Sequence, residues 1–302
     1  MKRYQYAAQL AADFPTDVLC EALSISRAGY YRFRQGSTLK DDEQQAQVVE
    51  EVFLTHKRRY GTRRIVAELR AQGKAMGRWK VRKYPKKRSL KAIQPKSFVP
   101  KTTGSAHGNR NSPNLLLDEN QQRIFQVWAP NQVWYSDITY VPMAGGRFTY
   151  LCLWTDLFFR KIVGWQLEET MEECLVISAL NKALKSRNPA QGLIVHSDRG
   201  GQYVSAALRS LMRHWHCRQS MSRADNCYDN AEGESLFSRF KAELVQTGAF
   251  LNLQDARTEI FEYIEIYHNR VRRHSSLGYE SPEKFEEKYQ KQHLSPASTV
   301  FH

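Results

Sequence analysis

Leu193-Ile194-Val195-His196-Ser197-Asp198-Arg199-Gly200-Gly201-Gln202-Tyr203 is the stretch whose reading decides the fold. Its first three residues, branched and apolar, predict a short buried strand. Asp198 would then sit at the carboxyl end of that strand, where open α/β sheets place their ligands. Arg199-Gly200-Gly201 turns the chain. One carboxylate is not a site, but two further segments carry acids in a compatible setting. Trp134-Tyr135-Ser136-Asp137-Ile138-Thr139-Tyr140 is a β-type run with an acid at its centre. Asp229-Asn230-Ala231-Glu232-Gly233-Glu234-Ser235 opens a helix. Sixty residues lie between Asp137 and Asp198, and 35 between Asp198 and Glu234. Acids buried on a strand interior and a helix face are costly unless a cation neutralises them. Carboxylate oxygens suit magnesium or manganese.

The motifs Trp-x-x-Asp-Ile-Thr, His-Ser-Asp-Arg-Gly-x-Gln-Tyr and Asp-Asn-Ala-x-x-Glu-Ser, in this order and spacing, resemble the DDE transposases of the retroviral-integrase superfamily. In particular they resemble the second-open-reading-frame (OrfB) transposases of the IS three family of bacterial insertion sequences, over nearly the whole chain. The resemblance implies Asp137, Asp198 and Glu234 as the catalytic, metal-holding triad for Mg²⁺, with Mn²⁺ as the alternative. It also implies that Lys241 contacts the transposon end, and that the protein often acts with an upstream-frame OrfA product. One departure is Asp225, where family members usually have a glycine before Asn226-Cys227. It would stiffen a mobile loop or add a charge near the metals.

The charge balance points to the same class of partner. The chain has 302 residues, net charge +14 and a pI of about 9.6, which suits a polyanion. Between Lys57 and Arg110 there are 18 Lys/Arg against a single acid, Glu68. That segment's +17 exceeds the whole-chain +14, so the remainder is slightly acidic. Five scattered cysteines with no Cys-x-x-Cys argue against a disulfide framework. No apolar run reaches the ~18–20 residues of a membrane span, and Met1-Lys2-Arg3-Tyr4 lacks the apolar core of a signal peptide. The expectation is a bacterial cytoplasmic, nucleoid-associated protein.

In chain order, residues 1–36 predict small helices, one capped by Thr16. Ser26 caps a second that presents Arg27, Arg32 and Arg34, either as a helix-turn-helix or as a plain helical hairpin. Residues 40–47 read as a connector. A basic helix-turn-helix-like module over 44–91 follows, with Thr62 as a cap and Arg63, Arg64, Arg82 and Lys83 as DNA contacts. Pro85 should end its third helix near Lys83, or mark local damage, since an interior proline costs about 3 kcal/mol. Residues 92–126 read as a basic linker. Residues 127–250 predict a ribonuclease-H-like α/β core: strands at 132–141, 147–154 and 160–167, with a turn at Ala144-Gly145-Gly146, a helix at 172–186, the strand at 193–195, a helix at 203–215, and a catalytic helix at 230–246. Phe237, Phe240 and Leu244 form the buried stripe of that last helix. Glu234 lies at the edge of the stripe, and Lys241, two turns on, shares its azimuth. Asp156 reads as structural and Asp229 as a cap. His214, His216 and Cys217 are too close together for a zinc site. Residues 251–302 predict a helix at 254–268, a basic loop with Arg270, Arg272, Arg273 and His274 gripping DNA, and a final helix opened by Ser281-Pro282-Glu283.

The fold class read from the sequence is thus α/β, a ribonuclease-H-like catalytic core preceded by all-helical helix-turn-helix-type modules. The function that this resemblance and the charge pattern lead one to expect is metal-dependent DNA cleavage at insertion-sequence ends followed by strand transfer, on double-stranded terminal inverted repeats and target DNA, by a homo-oligomer that is at least a dimer on DNA. The alternatives are a ribonuclease-H-like nuclease or resolvase without strand transfer, and a catalytically impaired DNA-binding regulator.

Overall fold

A computed structural model describes residues 2–35, 37–95, 112–118, 127–222, 231–244 and 248–293, with side chains for all of these except 37–41, 87 and 231–235. The expectations for Asp225, Asp229, most of the linker and residues 294–302 lie outside the described residues. The chain forms two compact units, Met1–Ile93 and Gln94–His302.

The first unit is helical: α1 (Lys2–Gln9), α2 (Thr16–Ala22), α3 (Arg27–Arg34), α4 (Ser37–Thr55), α5 (Thr62–Ala71) and α6 (Arg78–Lys87). Ser26 caps α3 by accepting the Gly29 N–H at 3.1 Å. Thr16 and Thr62 are not caps: each is the first helical residue, and Pro15 and Gly61 hold the capping positions. The expected connector at 40–47 is helical instead, because α4 starts at Ser37. Its polar residues answer α6: Asp42 pairs with Lys83 at 3.1 Å and accepts the Tyr84 hydroxyl at 2.8 Å, while Glu43 and Glu50 pair with Arg88. These bonds, with Val81 and Tyr84 buried, carry α6 through Pro85, so the helix does not stop near Lys83. Proline near a helix end forfeits one backbone bond, which tertiary contacts here offset.

The second unit is built on a five-stranded sheet: β1 (Val133–Pro142), β2 (Phe148–Asp156), β3 (Ile162–Glu168), β4 (Ile194–Ser197) and β5 (Arg218–Met221), in the order β3-β2-β1-β4-β5. The first three form an antiparallel meander, and β4 and β5 add in parallel. Gly145 and Gly146 make the β1–β2 turn with φ of 77° and 75°, which glycine adopts without cost. This is the ribonuclease-H-like arrangement. One face carries α7 (Glu173–Arg187) and α8 (Ala206–His214) over Trp134, Trp154 and Val195. Gly164 allows α7 to sit close: a Cβ there would be 2.5 Å from the Ala179 carbonyl. The other face carries α9 (Ala231–Leu244) and α10 (Leu253–Phe261), continued by a π-helical segment, Glu262–Val271, over Val141, Leu151 and Leu153. The last helix, α11 (Pro282–His293), buries Glu286 against Lys161 at 2.7 Å and Arg187 at 2.5 Å.

Three differences from expectation stand out. The helix expected at 203–215 is a 3₁₀ turn, Gly201–Val204, followed by α8, because Ser205 caps the latter by accepting the Leu208 N–H. The helix expected at 254–268 changes hand-off at Glu262 and continues to Val271 as a π-helix. Residues 112–118 are not all spacer. Leu116 packs with Val133 and Ile194, and the Leu115 N–H donates to Ser220 at the sheet edge.

Candidate active site

Sheet register brings Asp137 and Asp198 together. In the parallel β1–β4 ladder Val133 faces Ile194, Trp134 faces Val195 and Tyr135 faces His196, a constant offset of 61. Asp137 and Asp198 differ by the same 61, so each stands two residues past the last pair of that ladder. Side chains alternate along a strand. Trp134, Ser136 and Val195 face α7 and α8, so Asp137, inside β1, belongs to the opposite face, and Asp198 follows the last residue of β4. Leu153, the partner of Asp137 on β2, lies under α9. Phe237, Phe240 and Leu244 of α9 fill that core, as the stripe predicts. Glu234 lies on α9; its side chain is outside the described set. Among the described residues no cluster of three metal-ligating side chains occurs, and of the three acids expected from the sequence only the two aspartates have described side chains.

The electrostatics are uneven. Burial pushes the Asp198 carboxyl pKa up, opposed by one bond, from the Gly200 N–H to Oδ1 at 2.9 Å. A Cβ on Gly200 would lie 3.1 Å from that oxygen. Asp137 Oδ1 accepts the Ile138 N–H at 2.8 Å. Lys241 is half-buried; burial pulls its pKa down, and the charge of Asp137 pushes back. That coupling puts the ammonium within electrostatic reach of Asp137. Arg199 donates through Nε to the Ser222 carbonyl at 2.8 Å. An acid as lightly compensated as Asp198, with a second carboxylate at the same offset from the ladder, fits a divalent cation, which takes oxygen ligands and cancels their charge.

Asp156 contrasts with this pair. Fully buried, it accepts the N–H groups of Asn131, Phe158 and Phe159, a structural role as expected. His196, unassigned by sequence, bonds Ser220 Oγ through Nδ1 at 2.8 Å and lies against Tyr135.

The basic residues divide. Arg63 and Arg82 are exposed on the first unit. Arg64 lies over the Tyr60 ring at 5.9 Å. Lys83 is committed to Asp42. Arg270 is exposed and pairs with Glu283 at 3.2 Å. The expectation that Arg272 grips DNA is corrected: its side chain is 3% exposed, with Nε and Nη2 on the Glu243 carboxylate at 2.9 and 2.7 Å. Burial works against its charge, but the Glu243 bonds outweigh it and raise its pKa. Arg273 is half-buried and donates to the Tyr279 carbonyl. His274 is half-buried against His268. Sequence reasoning missed Arg78, Trp79 and Lys86, which share the open side of α6 with Arg82; Trp79 is 76% exposed. The signal was there: 78, 82 and 86 are spaced by four, opposite buried Val81 and Tyr84.

Residues 128–227 and 234–289 match the family described as integrase core domain, and residues 40–98 match the HTH-like domain. The insertion element IS600 uncharacterized 31 kDa protein of Shigella sonnei is 39% identical over 274 residues, covering 90% of this chain and 98% of that one. Transposase InsF for insertion sequence IS3A of Escherichia coli (strain K12) is 36% identical over 291 residues, covering 95% and 99%. Among solved structures, the HTLV-2 integrase catalytic core domain in complex with magnesium aligns with a TM-score of 0.37 at 17% identity, covering 52% of this chain and 96% of that one. Identity of this order along almost the full length of both chains makes the protein a member of the IS3 family of insertion-sequence transposases, within the DDE polynucleotidyl-transferase class.

Proposed function

We propose that the protein cleaves DNA at the ends of its insertion sequence and joins the resulting 3′-hydroxyl to a target, using Asp137, Asp198 and Glu234 to hold two Mg²⁺ or Mn²⁺ ions. The observation that carries this is that Asp137 and Asp198 stand at the same offset beyond the last pair of the β1–β4 ladder, in the unit whose helix α9 bears Glu234 and Lys241. When bound, such a metal pair supplies Lewis-acid stabilisation of both the attacking and the leaving oxygen of an in-line displacement. The protein's own part is placement. Asp137, on β1, and Asp198, just past β4, would hold the cations together with Glu234 of α9. Lys241, within electrostatic reach of Asp137, would offer a cation to a backbone phosphate next to the acids. Neither step needs a covalent protein–DNA intermediate, since the acids hold cations rather than attack phosphorus.

Residues 44–91 would bind the terminal inverted repeats through the α6 face of Arg78, Trp79, Arg82 and Lys86, with Arg63 alongside. Their charges complement phosphates, and Trp79 gives an apolar surface for a base edge. Residues 92–126 would act as the basic linker, 127–250 as the catalytic core and 251–302 as its C-terminal support, with Arg270, Arg273 and His274 facing DNA. Two ends must be joined, so the working form is at least a dimer on double-stranded DNA, with an upstream-frame OrfA product as a further partner. No helix among the described residues is long and apolar enough to cross a membrane; we infer action on cytoplasmic, nucleoid DNA.

Labelled duplexes carrying the flanking inverted repeats, incubated with Mg²⁺ or EDTA, test the proposal. Metal-dependent nicks with 3′-hydroxyl ends, and joined products absent from Asp198→Asn and Glu234→Gln, are the expected result. Cleavage that persists in both variants would overturn it.

A further inference from the structure

The β1–β4 ladder ends at Tyr135 and His196, before it reaches the two aspartates. Something else must hold their separation. On the α7 side of the sheet, Ser136, the residue before Asp137, shares a 2.8 Å hydrogen bond between its Oγ and the Tyr203 hydroxyl. The Tyr203 N–H donates to the Gly200 carbonyl at 2.9 Å. The Gly200 N–H in turn donates to Asp198 Oδ1 at 2.9 Å. These three bonds run without a gap from the backbone beside Asp137 to the carboxylate of Asp198. Every joint is braced. Ser136 and Tyr203 are buried, and the Tyr203 ring meets Trp154 edge-on at 6.2 Å. The Tyr203 carbonyl accepts from Gln219 on β5. Cys152, on β2, closes on Ser136 Oγ at 3.4 Å.

We propose that Tyr203 and Ser136 form a strut that sets the distance between Asp137 and Asp198, making Tyr203 a positioning residue for the divalent-cation site. The inference rests on the metal-holding role proposed above for the two acids. The strut is neutral and stays so. Burial, and the nearby negative charge of both aspartates, push the Tyr203 hydroxyl well above its ordinary value and the Cys152 thiol up to about 12. The same couplings show that both carboxylates lie within electrostatic reach of this cluster. The Tyr203 hydroxyl supplies the side-chain joint on Ser136, while the bond to Gly200 belongs to the backbone of the 3₁₀ turn Gly201–Val204 and survives a change of side chain. Tyr203→Phe removes one oxygen and leaves the ring on Trp154.

The test is Mn²⁺ binding to the full-length protein without DNA, followed by the electron-paramagnetic-resonance signal of the free ion, beside Tm in EDTA. Tyr203→Phe and Ser136→Ala should each weaken Mn²⁺ binding by about 3- to 10-fold, the scale of one lost hydrogen bond. The double variant should be no weaker than either single one within a factor of about two, because both remove the same bond. The Mg²⁺ concentration for half-maximal cleavage should rise in parallel. Unchanged Mn²⁺ affinity with only a lower Tm, while Asp198→Asn abolishes binding, would overturn the strut and leave the metal site standing. If Asp198→Asn also binds Mn²⁺ as wild type does, the metal-site reading falls and takes the strut with it.

Discussion

Arg272 lies in a sequence that reads as a DNA grip and in a structure that reads as a staple. Replacing it with alanine separates the two. Arg272 and Glu243 side chains are each 3% exposed, and the pair is bidentate. The Tyr263 hydroxyl also donates to Glu243 Oε2 at 2.9 Å. Removing the guanidinium leaves a buried carboxylate with one neutral donor among these bonds. Breaking a buried pair from one side costs about 3–5 kcal/mol. For a unit the size of residues 94–302, each kcal/mol moves Tm by about 2–4 °C, so Arg272→Ala should lower Tm by roughly 6–20 °C. Arg270→Ala, which breaks an exposed pair with Glu283, should cost about 0–1 kcal/mol. Arg272→Met with Glu243→Leu should recover most of the loss, because the apolar pair leaves no buried charge. Thermal denaturation of the four proteins, with DNA affinity measured at several salt concentrations, reads the result. The reasoning fails if Arg272→Ala melts within about 2 °C of wild type while DNA affinity drops and the salt slope falls by about one, the mark of a lost phosphate contact.

Gly200 has φ −58° and ψ 143°, which alanine adopts freely. Gly200→Ala should therefore fold normally, yet lose at least about tenfold in cleavage because its methyl presses on Asp198; circular dichroism and end cleavage check both halves. Asp198→Asn should raise Tm in EDTA, since burial disfavours the charged carboxylate and the amide keeps an oxygen for the Gly200 N–H. The sign follows from a folded-state pKa above the unfolded one. Wild type carries a penalty at neutral pH that is relieved as pH falls through the raised value, down to the unfolded value near 3.8. The Asp198→Asn variant has no carboxyl to titrate at this position and loses that slope, and a Tm below wild type at pH 7 would count against the account. Pro85→Ala restores a backbone donor toward the Val81 carbonyl and should stabilise α6 by about 1–3 kcal/mol, visible as a higher melting temperature without weaker DNA binding.

The legible parts of the fold were those fixed by neighbours in sequence. Strands β1 to β3 follow runs of aromatic and β-branched residues, and their ends fall within about two residues of the expected ones. Ser26, Gly145 and Gly146 act through local backbone geometry, and were read correctly for that reason. What stayed hidden was set across long distances. Strand β5, Arg-Gln-Ser-Met, has no apolar alternation; it is a strand because Ile194 to Ser197 lie beside it. The π-helical Glu262–Val271 breaks the 3.6-residue period on which helix reading depends. Asp42, Glu43 and Glu50 look like a solvated run until α6 supplies Lys83, Tyr84 and Arg88.

Arg272 was misread for the same reason, and it shows what marks the candidate site. Asp156, Glu243 and Asp198 are all carboxylates of the core unit, and residue type alone does not rank them. Their partners do. Asp156 has three backbone N–H groups, and Glu243 has a bidentate arginine and a tyrosine. Both charges are answered within the protein, so neither has anything to gain from a ligand. Among the described residues Asp198 has one N–H, from a glycine whose missing side chain leaves the carboxylate uncrowded, and Asp137 lies at the same offset from the last pair of the β1–β4 ladder. A fold selected only for stability would supply a cation or more donors to Asp198. On the proposed reading, placing that lightly compensated acid near a second one would cost stability in the metal-free protein, and a bound multivalent cation would return it.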